Sequence, residues 1–114
     1  MFQDAARRWV RGEMSVPGVE TWADFRTRVH RAVLDKLHAM PTVPGQAVAV
    51  FTSGGPVGAT VGAALGLNDE ACLEMSWRVR NAAWSELQFK HGQLSLISFN
   101  VTPPFEREGM VTML

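Results

Sequence analysis

Cysteine is nearly absent from this chain. Cys72 stands alone among 114 residues, so no disulfide can form within it. That composition fits a reducing compartment such as the cytoplasm. Net charge is absent too, since eleven Lys and Arg balance eleven Asp and Glu. The balance argues against a nucleic-acid binder or a polybasic membrane-surface protein, both of which need a positive surface. No apolar run approaches the ~20 residues of a membrane span. The first residues, MFQDAARRWVRGEM, carry charges where a secretory signal needs an apolar stretch. No internal repeat or low-complexity tract divides the chain. What is present has an ordinary globular balance, 46% hydrophobic and 19% charged. Residues 1–114 therefore read as one domain, long enough to bury a core, with no membrane and no nucleic-acid partner.

The pattern along the chain alternates helices and strands. Residues 2–11 read as a short helix, ended by Gly12 and by Ser15-Val16-Pro17-Gly18. Thr21 is a good N-cap, and Asp24 three residues later suits a capping box. Trp22, Phe25, Val29, Ala32, Val33, Leu37 and Met40 then recur at spacings of three and four, one wide helical stripe. Pro41 and Pro44-Gly45 end it. Residues 47–52, AVAVFT, are apolar on both faces, the pattern of a strand covered on both sides. A small-residue helix follows over 56–66, with Gly66 suited to end it. Asn68 caps a short helix over 68–76. Strands over 82–90 and 94–99 meet through His91-Gly92 as a hairpin. The order predicts an α/β fold with a three-stranded mixed sheet, 47–52 beside the hairpin and helices on both faces.

The turn at Ser53-Gly54-Gly55 is where chemistry would sit. A strand running into a helix through small residues places backbone N–H groups and the positive end of a helix dipole together, which is an anion cradle. Ser53, Gly54 and Gly55 are therefore anion-binding candidates. The turn lacks the Lys of a phosphate-binding loop. It also lacks the nucleophile-elbow pattern, because Phe51 stands two before Ser53. A tight strand-to-helix turn explains the same residues with no chemistry at all. Elsewhere, His30 and His38 are eight apart, not the four that a helical metal pair needs. No metal site or other cofactor is indicated. Cys72 has no evident base beside it and reads as an inert buried thiol.

Several segments, in order, resemble the histidine phosphatase (phosphoglycerate mutase-like) superfamily. VETWADFRTRV (19–29) looks like the family's Gly-Glu-Ser-x-x-x-Phe-x-x-Arg-Val segment. PGQAVAVFTSGGPVGATVGAALGL (44–67) looks like the last parallel strand, the catalytic turn and the following helix. RNAAWSELQF (80–89) and GQLSLISFN (92–100) are similar to the terminal hairpin. FTSGGP resembles a branch in which this phrase stands where most members read Ser-His-Gly-Gly. The resemblance covers roughly residues 2–105 and matches the C-terminal half of the family fold, so it implies a partial phosphoglycerate mutase-like architecture.

It also implies what is missing. Family members begin with a strand carrying Arg-His-Gly, whose His accepts the phosphoryl group, and that motif is not found in these 114 residues. Lys90-His91-Gly92 echoes it, but lies where a hairpin turn is expected. The second pocket His of the family falls at Ser53, and Asn81 matches a family Asn near the pocket. A hydroxyl can donate one hydrogen bond, whereas a His cation also attracts phosphate by charge. The resemblance would give phosphomonoester hydrolysis or phosphoryl transfer, yet the missing motif points away from an active enzyme. Three functions remain open. One is a catalytically silent family domain acting through self-association or a partner. Another is half of a split phosphatase that needs an N-terminal portion. The third is a small Ser53 hydrolase, for which the sequence nominates no base. A homodimer is expected, because the strand 47–52 would lack the neighbour it has in the family, with Trp9, Trp22 and Phe25 near the exposed apolar surface.

Overall fold

A computed structural model describes residues 2–41 and 43–104. Its elements run α1 (Phe2–Val10), α2 (Trp22–Ala39), α3 (Gly54–Leu65), α4 (Asp69–Arg78), β1 (Trp84–Lys90) and β2 (Gln93–Val101). Local chemistry sets most of the boundaries. Thr21 accepts a hydrogen bond from the Asp24 amide at 3.2 Å and starts α2. Asn68 does the same for the Ala71 amide at 2.9 Å and starts α4. Gly66 ends α3 in the left-handed region, φ 68°, where a side chain would be strained. His91 and Gly92 both have positive φ, 54° and 76°. Two such residues in succession give the primed turn whose twist matches a hairpin. β1 and β2 accordingly pair antiparallel from Lys90↔Gln93 to Trp84↔Val101, with irregular register around Glu86. Asn100 fastens the hairpin to the end of α4: its side chain accepts from the Arg80 amide at 2.8 Å and donates to the Arg78 carbonyl at 2.6 Å.

The core lies among the helices. Val10, Trp22, Val29, Ala59, Cys72 and Leu73 are buried together, with Trp9, Phe25 and Trp77 packed around them. The ring centroids of Trp9 and Trp22 are 5.8 Å apart at 82°, an edge-to-face pair, and Phe25 lies 5.6 Å from Trp22. Trp9 donates its indole N–H to the Glu20 carbonyl at 2.9 Å, whereas that of Trp22 has no partner among the described residues. Ion pairs from Arg7 to Glu74, Arg11 to Glu70 and Arg26 to Asp69 tie α1, the turn after it and α2 to α4. Exposed pairs of this kind contribute only about 0–1 kcal/mol each. They set the orientation of the helices, and the apolar core supplies the stability.

The closest approach is that of α3 to α4. A Cβ added at Gly58 would lie 2.6 Å from the Ser76 Cβ and 2.7 Å from both the Cys72 carbonyl oxygen and the Ser76 amide nitrogen. A Cβ at Gly62 would overlap the Cys72 sulfur. The two glycines, one helical turn apart, let the backbones of the two helices come together.

Two expectations are corrected. The sheet has two strands, not three: residues 47–52 form neither strand nor helix. None of the six hydrogen-bonds to another described residue. A strand exists only where a neighbour takes its N–H and C=O groups, and no described segment hydrogen-bonds to this one. Helices do not cover both faces of the hairpin either. Exposed and half-buried residues alternate along β1, so one face is open. The aromatic residues are corrected in the other direction. Trp22 is 3% exposed, and Trp9 and Phe25 are half-buried against it, because the three rings satisfy one another inside the helical core. Exposed apolar side chains are found elsewhere, among them Val48, Val50 and Phe51, which are 43%, 69% and 96% exposed.

Candidate functional site

Residues 47–52, exposed and in no helix, strand or turn, lead to Ser53, the N-cap of α3. Ser53 has φ −102° and ψ 177°, and its carbonyl accepts from the Val57 amide at 3.3 Å. Its side chain makes no capping hydrogen bond and is solvent-exposed. Gly54 and Gly55 are the first two helical residues. Their amides precede the point where helical bonding begins, so they are donors at the positive end of the helix. Gly54 is buried. A Cβ at Gly55 would stand 3.4 Å from the Phe25 ring, so α3 starts directly against the aromatic residues of α2. Two amides and one neutral hydroxyl can hydrogen-bond an anion. They bring no charged side chain of their own to it.

Asn81, the remaining anion-binding candidate, is exposed in the turn between α4 and β1. His91 sits exposed in the hairpin turn, which accounts for Lys90-His91-Gly92. His30 and His38 both line an open groove of about 560 Å³ that α2 forms with Ala63, Leu67 and Cys72. His38 packs edge-on against Phe89, centroids 5.4 Å apart. Among the described residues, no group of three His, Cys, Asp or Glu is placed to hold a metal. The Ser53 hydroxyl hydrogen-bonds to no described residue, so no described base is positioned to activate it. Cys72 is buried, and desolvation pushes its thiol up from the ordinary value, which leaves it protonated and unreactive.

Glu20 and Arg28, within the segment that carries the resemblance, hold each other through two hydrogen bonds of 2.6 and 3.3 Å. With the Trp9 bond to the Glu20 carbonyl, they fix the approach to α2, and both line a shallow open groove of about 450 Å³ along that helix. The half-exposed acids of α4, Asp69, Glu70 and Glu74, anchor ion pairs to the preceding helices. Glu74 also pairs locally with Arg78, four residues on, but the partners on α1, the turn after it and α2 lie 43 to 67 residues away, beyond the reach of local pattern.

These pairs predict a pH dependence. The hydrogen bond from Arg28 holds the Glu20 carboxyl below the usual glutamate range, and that from Arg11 does the same for Glu70. A carboxyl with a lowered folded pKa stabilises the fold above its unfolded pKa, and the contribution is lost as pH falls through the folded value. The midpoint of thermal unfolding is therefore expected to fall between about pH 5 and pH 3. The double variant Glu20→Gln/Glu70→Gln is expected to show a shallower fall, measured by far-UV circular dichroism across that range.

No helix among the described residues is long and apolar enough to cross a membrane. No curated protein and no solved structure matches the chain at a significant level. The family model described as histidine phosphatase superfamily (branch 1) matches residues 1–102, and the chain belongs to that superfamily.

Proposed function

We propose that this chain is a histidine phosphatase-superfamily domain that is silent in phosphoryl transfer by itself and acts by association, with itself or with another protein. One observation carries the reading. At the turn where the resemblance places a pocket His, Ser53 offers a neutral, exposed hydroxyl with no base hydrogen-bonded to it among the described residues. Phosphoryl transfer relies on positive charge against the equatorial oxygens and on an acceptor for the phosphoryl group. The sequence carries no Arg-His-Gly, and a serine at position 53 supplies no charge. The turn can still bind an anion through the Gly54 and Gly55 amides.

The test is a phosphomonoesterase assay on the purified chain with p-nitrophenyl phosphate. The expected rate equals that of buffer. Ser53→His is expected to leave it there, because the phosphoryl acceptor is still missing. Robust hydrolysis by the wild type, abolished by Ser53→Ala, would overturn the proposal in favour of a serine hydrolase. A second reading is that the chain works with a separate polypeptide carrying Arg-His-Gly. It is favoured by the exposure of residues 47–52, which is what a neighbouring strand would cover. Turnover that appears only on mixing with such a chain would select it.

A further inference from the structure

We propose that the groove between α2 and the end of α3 binds a small carboxylic acid with an apolar body. Arg31 holds the carboxylate, and Leu34, Ala63 and Leu67 take the body. The site is separate from the Ser53 turn and does not depend on the association reading. Its volume, about 560 Å³, falls within the roughly 300–1,000 Å³ of small-molecule sites. Arg31, Leu34 and His38 recur at spacings of three and four, so α2 presents them along one face. Ala63, near the end of α3, and Leu67, just beyond it, line the other side. The ten residues that line the groove are fewer than the roughly 20–30 a side of a standard protein interface. That favours a small molecule over a partner chain.

The charges choose its chemistry. Two guanidinium groups line the groove. That of Arg26 is engaged by Asp69. That of Arg31 has neither a hydrogen bond nor an ion pair with any described residue, and the adjacent His30 imidazole has none either. A guanidinium with its donors uncommitted is a planar fork that fits a carboxylate through two parallel hydrogen bonds. Asp35 lies in the same groove, four residues on from Arg31, and no ion pair joins the two. Its carboxylate repels a second negative charge, so the groove selects a monocarboxylate over a dianionic phosphate ester.

The apolar lining sets the other requirement. Leu34 and Leu67 are half-buried, and Ala63 is exposed beside them. An apolar body laid on these side chains leaves water together with them. A neutral apolar molecule would leave the Arg31 donors unused. A wholly polar acid would leave the leucines wet. Only a molecule with both parts meets both demands.

An NMR titration of the full chain with phenylacetate tests this, followed at the His30 imidazole and the Leu34 methyl groups. Phenylethanol supplies the same body without charge, and phenyl phosphate supplies a second charge. Phenylacetate is expected to shift both sets of resonances saturably, and the two comparison compounds to bind more weakly. Arg31→Ala is expected to weaken phenylacetate about tenfold to a hundredfold, the size of a hydrogen bond to a charged group. Arg31→Lys keeps the charge but loses the fork, and should weaken it less. Ala63→Leu should block binding with circular dichroism unchanged, because it fills the groove from an exposed helical position. Asp35→Asn should raise phenyl phosphate towards phenylacetate. Arg8→Ala, an exposed cation on α1 outside the groove, should change nothing. No saturable shift with millimolar phenylacetate overturns the proposal. So does binding that Arg31→Ala leaves intact, or phenylethanol binding as tightly as phenylacetate. Phenyl phosphate bound more tightly than phenylacetate by the wild type overturns the choice of ligand class. None of these outcomes bears on the phosphatase assay, which reads the Ser53 turn.

Discussion

Gly58→Ala and Gly62→Ala are both expected to destabilise the fold, and only the second can be rescued by trimming a neighbour. In an isolated helix, glycine to alanine stabilises by about 1 kcal/mol. Here the added Cβ points into α4. Overpacking of a tight contact costs about 1–3 kcal/mol, and more where the obstacle cannot move. At Gly58 the obstacles include the Cys72 carbonyl oxygen and the Ser76 amide nitrogen, both at 2.7 Å. Both are backbone, so Ser76→Gly leaves them in place. At Gly62 the nearest atom is the Cys72 sulfur, and the Cys72 Cβ stands 3.1 Å away. Removing the sulfur converts an overlap into a tight contact. Urea unfolding of Gly62→Ala, Cys72→Ala and the double variant should show positive coupling, with the double variant more stable than Gly62→Ala alone. The pair Gly58→Ala/Ser76→Gly should show no comparable recovery. Equal rescue at both sites would mean that α3 shifts as a body instead of meeting fixed backbone.

Trp22→Ala is expected to cost about 3–5 kcal/mol, the usual range for emptying a buried aromatic site. Trp22 is 3% exposed and touches both Trp9 and Phe25. Total stability of a small domain is about 5–15 kcal/mol, so this variant is expected to leave a substantial unfolded population at 37 °C. Trp22→Phe should cost far less, because the Trp22 indole N–H has no described partner to lose. Trp9→Phe provides the contrast: it forfeits the 2.9 Å bond to the Glu20 carbonyl, worth about 0.5–1.5 kcal/mol. Far-UV circular dichroism against urea ranks the three. A Trp22→Phe variant as damaged as Trp22→Ala would show that the indole shape, rather than its apolar area, holds α1 against α2.

At the candidate site the sequence located the turn but not its surroundings. Ser53, Gly54 and Gly55 lie at the start of a helix, as expected, although no strand leads into it. That α3 would begin at Gly54 instead of 56, and that Gly55 would abut Phe25, depended on α2 approaching from more than twenty residues away. The histidines illustrate the same limit. The turn dihedrals of His91 follow from its place before Gly92, whereas the packing of His38 on Phe89 joins residues far apart in the chain.

The sequence by itself determined the local decisions. Thr21 and Asn68 start helices because their side chains reach amides three residues on. Gly66 ends one because it tolerates positive φ. His91-Gly92 turns a hairpin for the same reason. Each is settled within four or five residues, where backbone sterics and one hydrogen bond suffice. The tertiary structure alone decided the fate of AVAVFT. Its apolar, β-branched composition suits a buried strand, yet a strand needs a second strand beside it and side chains above and below. Those groups come from elsewhere in space. With no described segment hydrogen-bonded to them, the same six residues lie unpaired and exposed, because burial and ladder pairing depend on neighbours that no local pattern can supply.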